Sequence, residues 1–147
     1  MNAGKTTTLL QSSYNYRERG MNTLLSIPDF DHRDGVGKVS SRIGLESDGV
    51  TFSSDLNFYD YIKAETAKPN NSTKCIMVDE AQFLTKEQVL QLADAVDFLD
   101  LPVVCYGLRT DFLGEPFEGS KYLLSLAERM EEIKTICHCG RKATMTL

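Results

Sequence analysis

Near its start the chain carries Gly4-Lys5-Thr6, the last three positions of the phosphate-binding pattern G-x-x-x-x-G-K-[ST]. In that pattern the backbone N–H groups of a tight loop and a helix N-terminus converge on phosphate oxygens. Lys5 would meet the outer phosphates and the Thr6 hydroxyl would ligate Mg²⁺. Taken alone, the same three residues also suit an ordinary helix start. A nucleotide-hydrolysing or phosphoryl-transferring site needs a second part, an acid at the end of a buried strand to hold the metal. Ile76-Met77-Val78-Asp79 has that form, and Glu80 follows it directly. A carboxylate there can take the proton from an attacking hydroxyl or water. Two solvated acids at a strand end are the plainer alternative, but the two features together favour nucleotide binding.

Further candidates lie in Gln82 and Phe83, and in Leu108-Arg109-Thr110-Asp111-Phe112 with Phe117. Aromatic faces beside a phosphate site suit stacking on a base, and ordinary core packing is equally open for each ring. Cys137-His138-Cys139 supplies two thiolates, half of the four ligands a structural zinc site normally takes. Either the other ligands lie beyond Leu147 or the pair binds no zinc. Cys75 and Cys105 sit singly in apolar runs and read as core. Asp29, Asp31, Arg33, Lys38 and Arg42 lie in a segment that could close over phosphates, or simply face solvent.

These residues need a scaffold to bring them together. Helical spacing and the Gly20 stop predict a helix over Lys5–Arg19. Thr23–Ile27 reads as a strand, 28–49 as a long polar loop, and Asp55–Ala67 as a helix. Cys75–Val78 is a buried strand. Thr85 caps a helix with Val89, Leu92, Val96 and Leu99 on one face, ended by Pro102. Val103–Leu108 is a strand, 109–119 a loop, and Tyr122–Met130 a helix. Ile133–Ile136 and Ala143–Leu147 read as short strands flanking the cysteine pair. Strands alternating with helices imply a parallel sheet, with ligands beyond the carboxyl ends of its strands.

With 147 residues, 41% of them apolar, the chain can bury the core of one domain. A net charge of −5 argues against nucleic acid as a main partner. No apolar run suits a membrane span or a secretory leader. Four cysteines without a disulfide framework fit a reduced, cytoplasmic setting.

Taken together, M-N-A-G-K-T-T, D-H-R with K-V-S-S-R-I-G, V-D-E-A-Q-F, C-Y-G-L-R-T-D-F-x-G-E-P-F and K-T-I-C-x-C-G-R-K-A resemble the type II thymidine kinases, in their bacterial branch. The resemblance runs across nearly the whole chain. It implies a RecA-like P-loop parallel sheet with flanking helices over 1–132, and the start of a small zinc-binding and lasso domain over 133–147. It implies ATP-dependent phosphorylation of the thymidine 5′-hydroxyl. Met1, Asn2, Ala3, Gly4, Lys5 and Thr6 would form the tail of the ATP loop, with Asp79, Glu80, Ala81 and Gln82 as the second ATP-contacting block. Thr6 and Asp79 would serve Mg²⁺, and Glu80 would be the general base. Met1, Phe83, Leu108, Phe112 and Phe117 would wall the thymine pocket. Cys137 and Cys139 would give half of a structural zinc site. A homotetramer and feedback by dTTP are implied as well. The family's first strand, and the segment that completes the zinc site and grips thymine, are expected outside residues 1–147. Asp34 stands where the resemblance leads one to expect an aromatic. Two other readings stay open: a helicase-like P-loop ATPase, since D-E-A-Q also occurs there, and an inactive nucleotide-binding subunit.

Overall fold

The computed structural model describes residues 4–29, 38–40 and 46–143. Its elements run α1 (Lys5–Glu18), β1 (Asn22–Pro28), β2 (Lys38–Ser40), β3 (Glu46–Phe52), α2 (Phe58–Thr66), β4 (Thr73–Val78), α3 (Lys86–Leu99), β5 (Val103–Cys105) and α4 (Glu118–Leu126). The sheet order is β2-β3-β1-β4-β5. β3, β1, β4 and β5 are parallel, and β2 joins β3 as an antiparallel strand. This is the α/β parallel sheet with flanking helices that the sequence predicted.

The two crossovers, β3-α2-β4 and β4-α3-β5, step the same way across the sheet. Right-handed crossovers therefore place α2 and α3 on one face. Leu24, Ile76 and Val78 turn to that face and pack with Phe58, Ile62, Val89 and Leu92. Leu25, Cys75 and Met77 turn to the other face, against Leu9 and Leu10 of α1. Strand alternation, continued one residue past Val78, puts Asp79 on the α1 side.

Two ends are sharply defined. Gly20 takes φ +73° and its N–H bonds the Arg17 carbonyl at 2.9 Å, so α1 stops where the sequence predicted. At α3 the Thr85 hydroxyl accepts from the Gln88 N–H at 3.2 Å, and the Gln88 Oε1 accepts from the Thr85 N–H at 3.1 Å. Buried Gln88 also donates to the carbonyls of Ser53 at 2.7 Å and Leu56 at 3.0 Å, tying the β3–α2 connection to α3. Thr85→Ala is expected to cost about 1 kcal/mol. Gln88→Leu should cost about 1–3 kcal/mol, because it removes both bonds from those part-buried carbonyls. Urea unfolding of both variants checks the order.

Several expectations are corrected. The loop predicted over 28–49 is in part sheet: β1 runs to Pro28, and β3 pairs with it from Leu25↔Gly49 to Pro28↔Phe52. Glu46, Ser47, Asp48 and Gly49 hide β3 from any propensity argument; its ladder partners decide the conformation. The side chains of Lys38 and of residues 46–48 lie outside the described residues, as do residues 30–37 and 41–45 entirely, including Asp31, His32, Arg33, Asp34 and Arg42. α2 starts at Phe58 rather than Asp55, because Asn57 caps it by accepting from the Asp60 N–H at 3.0 Å. β5 stops at Cys105, because the Tyr106 carbonyl turns to the Ala81 N–H at 2.9 Å. α4 begins at Glu118 and ends at Leu126, with extended backbone at Phe117 and Ala127. Among the described residues, Ile133–Ile136 forms no strand, and Ile136 joins Lys142 in an antiparallel bridge; of the strand expected over Ala143–Leu147, residues 144–147 lie outside the described residues.

Candidate active site

The site lies beyond the carboxyl ends of the strands, where β4 ends and α1 begins. Gly4 caps α1 with φ +71°, and its carbonyl accepts from the Thr8 N–H at 2.8 Å. A left-handed residue immediately before a helix is what a loop wrapped on phosphates requires, and glycine adopts it without strain. Lys5 follows, its side chain only 13% exposed, with Nζ 3.7 Å from Glu80 Oε2. The chain thus brings together two residues 75 positions apart. Met1, Asn2, Ala3 and the Thr6 side chain lie outside the described residues.

The β4 end is a stack of backbone bonds. The Asp79 N–H donates to the Ser26 carbonyl at 2.9 Å, and the Tyr106 N–H to the Val78 carbonyl at 2.8 Å. Asp79 is buried, and its Oδ1 accepts from the Glu80 N–H at 2.9 Å. Glu80 takes φ 48° and ψ 41°, left-handed for a residue that bears a side chain. Such backbone costs on the order of 1 kcal/mol and is held only by its surroundings. Here they are the 3₁₀ turn Ala81–Phe83 and the Tyr106 bond. The turn lets the chain present Asp79 and Glu80 in succession at one rim.

Gln82 is buried. Its Nε2 donates to Glu80 Oε2 at 2.5 Å and its Oε1 accepts from the Leu108 N–H at 3.3 Å. Leu108 is held in turn by the Ser120 hydroxyl, which donates to its carbonyl. The 109–117 loop is folded by Asp111, whose Oδ1 accepts from Leu113 at 2.8 Å and Glu115 at 3.0 Å.

Of the predicted base-binding rings, Phe83 and Phe117 meet edge to face, 5.8 Å between centroids. Phe83 also lines a cleft of about 260 Å³ with Pro28, Asp29, Phe52, Ser53 and Ser54. Phe112 stands at the loop tip, 67% exposed, and is not packed into that pair. Sequence reasoning missed the β3 end of the cleft, together with Gly107, Gly119 and Ser120. Isolated glycines inside a strand-like and a helix-like pattern were the available signal.

Cys137 and Cys139 lie on a tight knuckle. The Cys137 N–H donates to the Arg141 carbonyl at 2.7 Å, the Gly140 N–H to the Cys137 carbonyl at 2.8 Å, and Gly140 takes φ +81°. Two thiols are half of what a tetrahedral metal shell takes. Among the described residues no group of three or more His, Cys, Asp or Glu side chains could hold a metal. Burial raises the Cys75 thiol, and burial followed by the nearby Cys75 pushes Cys105 up to about 12. Since the thiolate is the nucleophile, iodoacetamide at about pH 8 should modify Cys137 and Cys139 and spare Cys75 and Cys105. Peptide mass spectra read this out; rapid Cys75 labelling of folded protein would contradict it.

Among the described residues no helix is long and apolar enough to cross a membrane. A family model described as thymidine kinase matches residues 1–147. A thymidine kinase of Rhodopirellula baltica is 60% identical over all of this chain and 69% of its own length. One of Haemophilus influenzae is 60% identical, covering 75% of its length, and one of Vibrio parahaemolyticus is 62% identical, covering 76%.

Proposed function

This chain belongs to the thymidine kinase family, and from that premise we propose that it transfers the γ-phosphate of ATP to the 5′-hydroxyl of thymidine, giving dTMP and ADP. The observation that carries the reading within the site is the meeting of Lys5 and Glu80, 3.7 Å apart at the sheet's carboxyl edge, beside the Phe83–Phe117 pair.

Phosphoryl transfer asks mainly for positioning and for charge stabilisation. Glu80 accepts the proton of the 5′-hydroxyl as that oxygen bonds the γ-phosphorus. The bond to the β,γ-bridging oxygen breaks, and its electron pair leaves with ADP. The Lys5 ammonium and the α1 N-terminus face the phosphate charge. The Phe83 and Phe117 rings offer apolar walls for a pyrimidine, with Leu108 placed by its bonds to Gln82 and Ser120. The buried Asp79 carboxylate on the α1 face suits a divalent cation, so Asp79 and Thr6 would hold the Mg²⁺ of MgATP, which supplies further charge neutralisation. Met1, Asn2, Ala3, Gly4 and Ala81 complete the proposed nucleotide contacts, whereas both polar atoms of Gln82 bond within the protein.

The knuckle thiols of Cys137 and Cys139 suit zinc, which would need two further ligands from outside the described residues. If they bind it, zinc loading will protect both from alkylation. A homotetramer, inhibition by dTTP and a cytoplasmic location are proposed on family membership alone.

The deciding experiment incubates the protein with radiolabelled ATP and thymidine, and separates the products. Label in dTMP is expected. ATP hydrolysis stimulated by nucleic acid, with no label in dTMP, would overturn the reading in favour of another P-loop ATPase. Nucleoside binding without turnover would indicate an inactive subunit.

A further inference from the structure

We infer that Gln82 is a positioning residue for the base, acting on Glu80 rather than on the nucleotide, and that Gly107 leaves the space this requires. The inference rests on Glu80 being the base, as proposed above.

A glutamate side chain on a left-handed backbone can adopt several rotamers, and only some of them present a carboxylate oxygen to an incoming hydroxyl. Something must select among them. Gln82 is 3% exposed and both of its polar atoms are used inside the protein. Nε2 donates to Glu80 Oε2 at 2.5 Å, and Oε1 accepts from the Leu108 N–H at 3.3 Å. A carboxylate only accepts and a backbone N–H only donates, so this amide orientation is the one that satisfies both partners. The carboxamide therefore cannot rotate without losing both bonds. It ties Glu80 to the segment that carries Leu108.

Lys5 also approaches Oε2. Among the described residues both donors thus fall on one oxygen, and Oε1 is left to take the substrate proton. The space for the carboxamide comes from Gly107. A Cβ there would stand 2.9 Å from Gln82 Oε1 and 3.0 Å from the Gln82 backbone nitrogen. Gly107 has no left-handed φ to explain it; the close approach of Gln82 does.

The test uses Gln82→Met, which keeps the volume and removes both bonds, and Gly107→Ala, which pushes on the carboxamide. Each is measured alone and in a Glu80→Gln background. Alone, each is expected to lower kcat by about 10- to 100-fold. Affinity for a fluorescent ATP analogue should stay within about twofold. In the Glu80→Gln background the same changes should alter the residual rate by less than about twofold, because the residue they act through is gone. An unchanged kcat overturns the inference. So does an equal loss in both backgrounds, or a loss of ATP affinity matching the loss of kcat, since each makes Gln82 structural or a nucleotide ligand. If Gln82→Met does not fold, Gly107→Ala carries the test. If Glu80→Gln keeps parental turnover, the base assignment itself fails. If Glu80→Gln is inactive while Gln82→Met and Gly107→Ala turn over normally, only the present inference falls.

Discussion

Glu80→Gln is expected to lower thymidine phosphorylation by about 10²- to 10⁴-fold, the usual contribution of a general base, while leaving ATP affinity nearly intact. The substitution keeps the size of the side chain and its place on the left-handed backbone. A carboxamide oxygen can still accept the hydrogen bond from Gln82 Nε2. It cannot take up the hydroxyl proton. The contact with Lys5 loses its charge pairing, but an ion pair with Glu80 37% exposed contributes at most about 1 kcal/mol. Lys5 stays beside the α1 N-terminus, so phosphate binding persists. Initial rates with saturating ATP, alongside equilibrium binding of an ATP analogue, separate the two effects. Turnover close to the parental rate would remove Glu80 from the role of base.

Gly119→Ala should destabilise the protein by about 1–3 kcal/mol and impair turnover as well. Helix propensity alone predicts the opposite, since Gly→Ala within a helix gains about 1 kcal/mol. The geometry reverses that sign. A Cβ on Gly119 would lie 2.5 Å from the Ala81 carbonyl oxygen, 2.8 Å from that of Leu84 and 3.0 Å from that of Gln82. All three are backbone atoms of the 3₁₀ turn and its exit, so no side-chain rotation relieves the clash. α4 must withdraw or the turn must shift, and the turn carries Glu80 and Gln82 at its start. Thermal melts and kcat measured on one preparation should fall together. A variant as stable and as active as the parent would show that α4 does not support the site.

Much of the site was legible from residue types and local order. Gly4-Lys5-Thr6 before a helix and Asp79-Glu80 after four apolar residues are patterns whose chemistry follows from short range alone. α3 was read within a residue or two because Thr85, its apolar stripe and Pro102 are all local signals. The tight turn over residues 137–140 was legible only as a pair of cysteines. β3 was missed, because Glu46, Ser47, Asp48 and Gly49 carry no strand preference and become strand only by pairing, Gly49 with β1 and the other three with β2. The late start of α2 and the early end of β5 were missed for a similar reason. In each, a bond to a distant residue or a cap outweighed propensity. Phe112 and Phe83 looked equivalent in sequence, yet one is exposed at a loop tip and the other lines the cleft.

By itself the sequence determined the parts: a helix that begins on a phosphate-type glycine, a buried strand ending in two acids, an aromatic-rich loop, and enough alternation of strand and helix to require a parallel sheet. Those are short-range properties, set by side-chain chemistry and periodicity. Only the tertiary structure decided which parts meet. It set Lys5 against Glu80, tied Gln82 between Glu80 and Leu108, and pressed Gly119 into the backbone of the turn. The physical reason is that hydrogen bonds and close packing depend on distances of a few ångströms. Sheet register and crossover handedness fix those distances, and a spacing along the chain does not.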